Sequence, residues 1–149
     1  MYSVSSYFFD TSALVKRYHE EEGTGTVDEI LDREGVDVLI SSLTVIETVS
    51  AFRRKYNRGE ISESEMEQLI SVFFREALDE FVILPMEESL LNFSFELVLE
   101  DDLRTLDSLQ LSVGLSLAQE VEEIVFVTAD EALAETGKRH DLETVVPQA

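Results

Sequence analysis

Two aspartates directly follow short apolar runs, at the points where buried strands would end. Asp10 comes after a run that ends in Phe8-Phe9, and Asp130 follows the apolar segment Ile124–Val127 by a short turn. Helix-like spacing of apolar residues resumes after each aspartate, so both segments predict a strand that turns directly into a helix. In open α/β sheets, ligands bind in the crevice outside the carboxyl ends of the strands. If the two strands are neighbours in the sheet, the two carboxylates converge on one crevice.

These two aspartates also have a purely structural interpretation. Asp10 or Thr11 would cap a helix, because short polar side chains are favoured at that position. In the second turn, Thr128 and Glu131 have the spacing of a capping box, with Asp130 between them. A pair of aspartates at strand ends therefore predicts either two helix caps or a shared site.

Two further acids lie on predicted helices. Glu47 falls opposite the main apolar stripe of the helix predicted over 43–56, either solvated or projecting into a groove among small neighbours. Asp107 lies in the apolar segment Leu106–Leu115, where burial of an unpaired carboxylate costs several kcal/mol. It is either a site residue or an acid that the helix dipole favours in the first turn, paired with Arg104.

Carboxylates that converge cannot all stay ionised without a cation, so a shared site implies Mg²⁺ or Mn²⁺. The chain has no Cys and two His, which excludes thiolate sites and argues against imidazole-rich ones. Such ions commonly activate water in phosphoryl chemistry. Four of the 11 basic residues follow Glu47 closely, and the cluster that includes Arg53 and Arg54 predicts either a rim that contacts phosphate or an ordinary helix end.

The elements that position these residues alternate along the chain. Strands are predicted at 6–9, 36–40, 81–84, 124–127 and 144–146. Helices are predicted from 11 to about 20 or 21, and at 26–34, 43–56, 62–80, 87–100, 105–121 and 130–140. Short apolar strands separated by helices predict an α/β sandwich with a central, mostly parallel sheet. The length favours a single domain over residues 1–149.

Charge sets limits on function. Acidic residues number 32 against 11 basic ones, giving a net charge of −21. Such a surface repels polyanions, so nucleic-acid chemistry would need metal ions or a local basic patch. A salty cytoplasm, which screens self-repulsion, is one hypothesis for this acidity. The absence of Cys and of any apolar run approaching about 18 residues predicts a cytoplasmic protein without a membrane partner.

Together, the segments around the four acids resemble the PIN-domain ribonucleases, in particular the toxin subunits of the VapBC type. The matching segments occur in the family's order across nearly the whole chain: Phe8–Lys16, Ser41–Glu47, Leu103–Leu111 and Phe126–Asp130. The resemblance implies a Rossmann-like, three-layer α/β/α sandwich and an endoribonuclease that depends on Mg²⁺ or Mn²⁺. It also implies a homodimer, an RNA substrate, and inhibition by a small antitoxin that fills the site.

The resemblance assigns roles to individual residues. By motif match, the metal ligands would be Asp10, Glu47, Asp107 and Asp130. The residues that assist them would be Thr11, Ser12 and Thr128.

Two other functions remain open. The first is a catalytically silent PIN-like module whose acids form a surface for a protein partner. The second is an aspartyl-phosphate phosphatase or receiver domain, which also begins with an Asp after the first strand. The second is disfavoured because Ser12 stands where a phosphatase of the haloacid-dehalogenase type has its second Asp, and because no Lys follows a late strand as a receiver requires.

Overall fold

The computed structural model describes residues 5–148, and its centre is a five-stranded parallel sheet. The strand order is β3-β2-β1-β4-β5, with every neighbouring pair parallel. The strands are β1 Ser5–Phe9, β2 Val36–Ser41, β3 Phe81–Leu84, β4 Ile124–Val127 and β5 Glu143–Val145. The helices are α1 Thr11–Leu14, α2 Thr24–Leu31, α3 Ser42–Asn57, α4 Glu63–Glu80, α5 Leu91–Asp101, α6 Thr105–Glu120 and α7 Glu131–Arg139. The predicted α/β class with a parallel sheet is confirmed.

The sheet has a hydrophobic core on each face, because successive strand residues point to opposite sides. Phe9 belongs to the core that includes Phe52 of α3 and Phe73 of α4. Phe8 belongs to the other core, with Leu111 of α6 and Leu133 of α7. Helices therefore cover both faces, which gives the predicted three layers. The single domain predicted over 1–149 extends to residues 1–4 and 149, which lie outside the described residues.

The first helix is shorter than predicted. α1 ends at Leu14, and a 3-10 turn at Val15–Arg17 replaces the helix expected to residue 20 or 21. Arg17 forms ion pairs of 2.9 Å with three acids, which lie on α2, at its end and on α4: Asp28, Asp32 and Glu76. The Lys16 carbonyl accepts a hydrogen bond from Thr24 Oγ1, at the start of α2. Contacts with residues outside the turn stabilise it. The spacing of apolar residues in the sequence could not predict these contacts.

Two other boundaries differ by more than a residue or two. α2 begins at Thr24 rather than 26, directly after Gly23 with its left-handed φ of 93°. It ends at Leu31 rather than 34, with Asp32 as the C-cap. The helix predicted over 87–100 is divided into a 3-10 turn, Glu88–Leu90, and α5. A capping box formed by Ser62 and Glu65 starts α4.

No helix within residues 5–148 combines the length and the apolar character that crossing a membrane requires.

Candidate active site

All four acids singled out from the sequence line one open cleft of about 490 Å³. Asp10 directly follows β1, and Asp130 follows β4, the strand that pairs with β1 in the sheet. Glu47 projects from α3, which continues directly from β2, the other neighbour of β1. Asp107 lies in the first turn of α6. The strand order thus brings together carboxylates that are up to 120 positions apart in the sequence; their role as ligands stays a prediction.

Asp10 is both a helix cap and a lining residue of the cleft. It is buried, with 5% of its surface exposed. Its Oδ1 accepts hydrogen bonds from Ser12 Oγ at 2.7 Å and from the Ala13 backbone N–H at 3.1 Å, which caps α1. Its Oδ2 accepts a 2.6 Å hydrogen bond from Thr128 Oγ1. The two interpretations of this aspartate are therefore not exclusive.

The environment of Asp10 disfavours its charge. Burial, the largest effect, raises the pKa of its carboxyl to about 6. The hydrogen bonds from Thr128, Ser12 and Ala13 lower the pKa, and the negative charge of Asp107 raises it further. Within the described part of the chain, no Lys or Arg forms an ion pair with Asp10. A cation in the cleft would offset this cost.

Glu47 is held by one of its two oxygens. Its Oε1 accepts hydrogen bonds from Thr11 Oγ1 at 3.0 Å and from Gln110 Nε2 at 2.9 Å. Its Oε2 forms no hydrogen bond with any described residue. The predicted neighbours on the helix surface line the same cleft: Leu43, Ser50, Ala51 and Arg54. The sequence left Glu47 either solvated or projecting into a groove, and the structure shows the groove.

Asp107 is half-buried at the start of α6. Burial raises the pKa of its carboxyl first, followed by the negative charges of Asp130 and Glu47, while Arg104 lowers it by a smaller amount. The predicted pairing with Arg104 is wrong as an ion pair, since no such contact is found within residues 5–148. Asp107 is thus coupled more strongly to the other acids than to any base.

Asp130 is exposed and caps α7, with its Oδ1 accepting a 3.0 Å hydrogen bond from the Leu133 backbone N–H. The capping box predicted for Thr128 and Glu131 is wrong, because the helix starts one residue after Asp130 rather than after Thr128. The Thr128 side chain instead accepts from the Asp130 backbone N–H at 3.1 Å while it donates to Asp10. Thr128 therefore joins the ends of the two central strands.

The predicted basic rim reduces to one residue. Arg54 lines the cleft, and its Nη1 donates a 2.8 Å hydrogen bond to Ser50 Oγ. Arg53 does not line the cleft; its guanidinium lies over the Tyr56 ring, 5.2 Å from the ring centre. Lys55 is buried and pairs with Glu21.

Sequence reasoning missed Gln110 as a site residue. It lies three residues after Asp107 on α6, so both side chains are on one helix face. It is 3% exposed and contacts Glu47, Thr44 and Ser41. The signal was an amide inside an apolar helical segment.

The donors in the cleft are carboxylate and hydroxyl oxygens, which are the ligands that hard divalent cations prefer. To share one ion, these side chains must also lie close to one another. Across the described ranges, no three Asp, Glu or His side chains stand close enough together to hold one metal ion. The chemistry of the donor set therefore fits Mg²⁺ or Mn²⁺, and binding would require the carboxylates to move closer.

Comparison with known proteins gives one family. The sequence model described as the PIN domain matches residues 7–139. No curated protein sequence matches the chain.

Solved structures with the same fold have low sequence identity. VapC20 of Mycobacterium tuberculosis, a toxin that cleaves the sarcin-ricin loop, has a TM-score of 0.65 at 13% identity, covering 88% of this chain and 95% of its own. VapBC2 of Rickettsia felis, bound to a promoter DNA fragment, has a TM-score of 0.64 at 16% identity over 95% and 98%. A toxin–antitoxin complex from Klebsiella pneumoniae has a TM-score of 0.64 at 18% identity over 95% and 97%. At these identities the likeness shows the fold.

Proposed function

The chain belongs to the PIN domain family, and from this premise we propose that it is an endoribonuclease that hydrolyses RNA phosphodiester bonds with Mg²⁺ or Mn²⁺. The observation that carries the proposal is the cleft at the carboxyl ends of the central strands, which four carboxylates line and in which no Lys or Arg among residues 5–148 forms an ion pair with the buried Asp10. A site that concentrates negative charge in this way favours a divalent cation.

The proposed metal ligands are Asp10, Glu47, Asp107 and Asp130. A bound ion would act as a Lewis acid that lowers the pKa of water and stabilises the leaving oxygen of the phosphodiester. The chain's own hydroxyls orient the ligands: Ser12 and Thr128 hold Asp10, and Thr11 holds Glu47. These are the assisting residues of the proposal.

Arg54 is the proposed contact for the RNA phosphate. Its guanidinium borders the cleft, and a guanidinium matches the geometry of two phosphate oxygens. With a net charge of −21, the rest of the surface repels RNA, so this local positive charge carries unusual weight. Arg53, turned onto Tyr56, has no such role.

We extend the proposal to a toxin of a toxin–antitoxin pair. The Klebsiella and Rickettsia structures of the same fold are such complexes, which supports a small antitoxin as the partner. A basic side chain of the antitoxin would suit the acidic cleft. A homodimer is supported by the exposed apolar residues of α5, which are Leu91, Phe95, Val98 and Leu99.

A catalytically silent module is the second candidate. One observation favours it: within residues 5–148 no three acids are gathered to the spacing of a metal site. In that case the acids would bind a basic partner surface and no ion.

Metal binding and cleavage by the purified protein distinguish the two candidates. We expect single-stranded RNA to be cleaved with Mg²⁺ or Mn²⁺, cleavage to stop with EDTA, and Asp10→Asn and Asp107→Asn to lower the rate by about 100-fold or more, the size of effect seen when one electrostatic group of an active site is removed. Arg53→Ala is the matched control and should keep near-normal activity. Unchanged cleavage in both aspartate variants would refute the nuclease, whereas no Mn²⁺ binding in the millimolar range would support the silent module.

A further inference from the structure

A chain of side-chain hydrogen bonds between buried residues leads to Glu47 through Gln110, which also lines the cleft. Ser41 Oγ donates to Gln110 Oε1 at 2.9 Å. The Gln110 amide nitrogen then donates to Thr44 Oγ1 at 2.7 Å and to Glu47 Oε1 at 2.9 Å. Ser41 and Thr44 are fully buried, and Gln110 is 3% exposed. Water therefore has little access to replace these contacts.

The direction of the Gln110 amide follows from Glu47, because a carboxylate can only accept hydrogen bonds and the NH₂ group must therefore face it. The Ser41 hydroxyl oxygen already accepts from the Thr44 backbone N–H at 3.3 Å, as the cap of α3, so its proton is free to point at the Gln110 carbonyl. Since the NH₂ group faces Glu47, the carbonyl faces Ser41, whose hydroxyl donates to it. The residue that caps α3 thereby also satisfies the carbonyl of a buried side chain on α6.

The consequence for Glu47 is that one oxygen is occupied and the other is free. Oε1 accepts from both Gln110 and Thr11, while Oε2 forms no hydrogen bond within the described residues. We propose that Gln110 is the positioning residue for Glu47, holding Oε1 so that Oε2 alone is presented to a metal ion in the cleft. The inference rests on the proposed function, since it assigns a task within that same site.

The placement of Gln110 argues for this positioning role, and against a buried amide that merely satisfies its own hydrogen bonds. All of its hydrogen bonds go to side chains rather than to backbone groups. It also shares α6 with Asp107, one turn earlier. One rigid helix thus carries one acid directly and holds a second through an amide, which sets the distance between Asp107 and Glu47. Hydrogen bonds that orient metal-binding carboxylates commonly change metal affinity by about 10- to 100-fold.

The test compares Gln110→Leu with Ser112→Ala. Leu keeps the approximate size of Gln without its donor and acceptor. Ser112 is a buried polar residue on the same helix, and its hydroxyl is bonded to Ser94 and to the Ser108 carbonyl rather than to the cleft. We expect Gln110→Leu to weaken Mn²⁺ binding, measured by calorimetry, about 10- to 100-fold, and to lower kcat with KM for RNA unchanged. Ser112→Ala should stay within about twofold on all three quantities.

A second measurement covers the case in which Gln110→Leu does not fold. In the wild-type protein, Mg²⁺ titration followed by NMR should shift the side-chain amide signals of Gln110 and leave those of Gln119, an exposed glutamine on the same helix, unmoved. Mn²⁺ affinity unchanged in Gln110→Leu, or Gln110 signals that stay fixed while Mg²⁺ binds, would overturn the inference alone. No metal binding by the wild type would overturn the proposed function as well.

Discussion

The Thr128 hydroxyl donates a 2.6 Å hydrogen bond to Asp10 Oδ2 and so ties the carboxyl ends of β4 and β1 together. Thr128 is fully buried, and the bond spans 118 positions of the sequence. Of the hydrogen bonds to Asp10, it lowers the pKa of the carboxyl most. The same contact therefore serves the sheet and the site.

Thr128→Val should destabilise the metal-free protein at pH 7 by about 1–3 kcal/mol. Val has nearly the shape of Thr but no hydroxyl, so the buried carboxylate of Asp10 loses a hydrogen-bond donor. Urea unfolding measures this difference. Thr136→Val is the control: Thr136 is also buried, and its hydroxyl donates to the Ala132 carbonyl and accepts from Arg139, both on its own helix. The control should show a smaller loss. Equal losses in the two variants would argue against a special role for the bond to Asp10.

The raised pKa of Asp10 predicts how stability depends on pH. Because the pKa in the folded state is about 6 and the ordinary value is 3.8, the folded protein binds the proton more tightly. The associated stability is fully present below pH 3.8 and is lost as the pH rises through 6. Asp10→Asn should therefore stabilise the metal-free protein at pH 7 by up to ~3 kcal/mol. Below about pH 4, that advantage should vanish.

Urea unfolding in EDTA at pH 4 and pH 7 checks this prediction. Asp79→Asn, a change at an exposed acid on α4, is the control and should show no comparable pH-dependent gain. If Asp10→Asn instead destabilises the protein at pH 7, burial does not disfavour the charge in the way described.

Arg54→Ala should weaken RNA binding severalfold and make the logarithmic salt dependence less steep by about 0.7 to 1, as expected when one phosphate contact is lost. Arg53→Ala removes the same charge from the preceding position, where the guanidinium lies over the Tyr56 ring. It should change binding little. The two variants are compared by measuring the binding of a non-cleaved RNA analogue at several KCl concentrations. Equal effects would mean that net charge, and not the cleft, governs affinity.

The excess of 32 acidic over 11 basic residues predicts stabilisation by salt. Screening shortens the range of self-repulsion to about 3 Å at 1 M salt, so thermal unfolding should move to higher temperature between 0.1 and 2 M KCl. Full stability in dilute buffer, unchanged by molar salt, would remove the hypothesis of a salty cytoplasm.

By itself, the sequence determined the α/β class, nearly all of the strands and helices, and the four acids. Apolar periodicity and capping residues act over a few positions, so Asp10 and Asp130 could be placed after strands without any knowledge of the sheet. The orientation of Glu47 on α3 followed from helical geometry in the same way. These are local properties of the chain.

Only the tertiary structure decided which strands are neighbours and which side chains meet. The pairing of β1 with β4 brings Asp10 to Asp130, and Gln110 of α6 reaches Glu47 of α3 although the two helices belong to the cores on opposite faces of the sheet. Arg17 ended the first helix early through ion pairs with α2 and α4, and Arg53 and Arg54 diverged although they are adjacent. The two arginines have partners three and four positions away, on their own helix. The other outcomes depend on contacts between residues distant in sequence, whose energies outweigh local preference and leave no periodic trace in the chain.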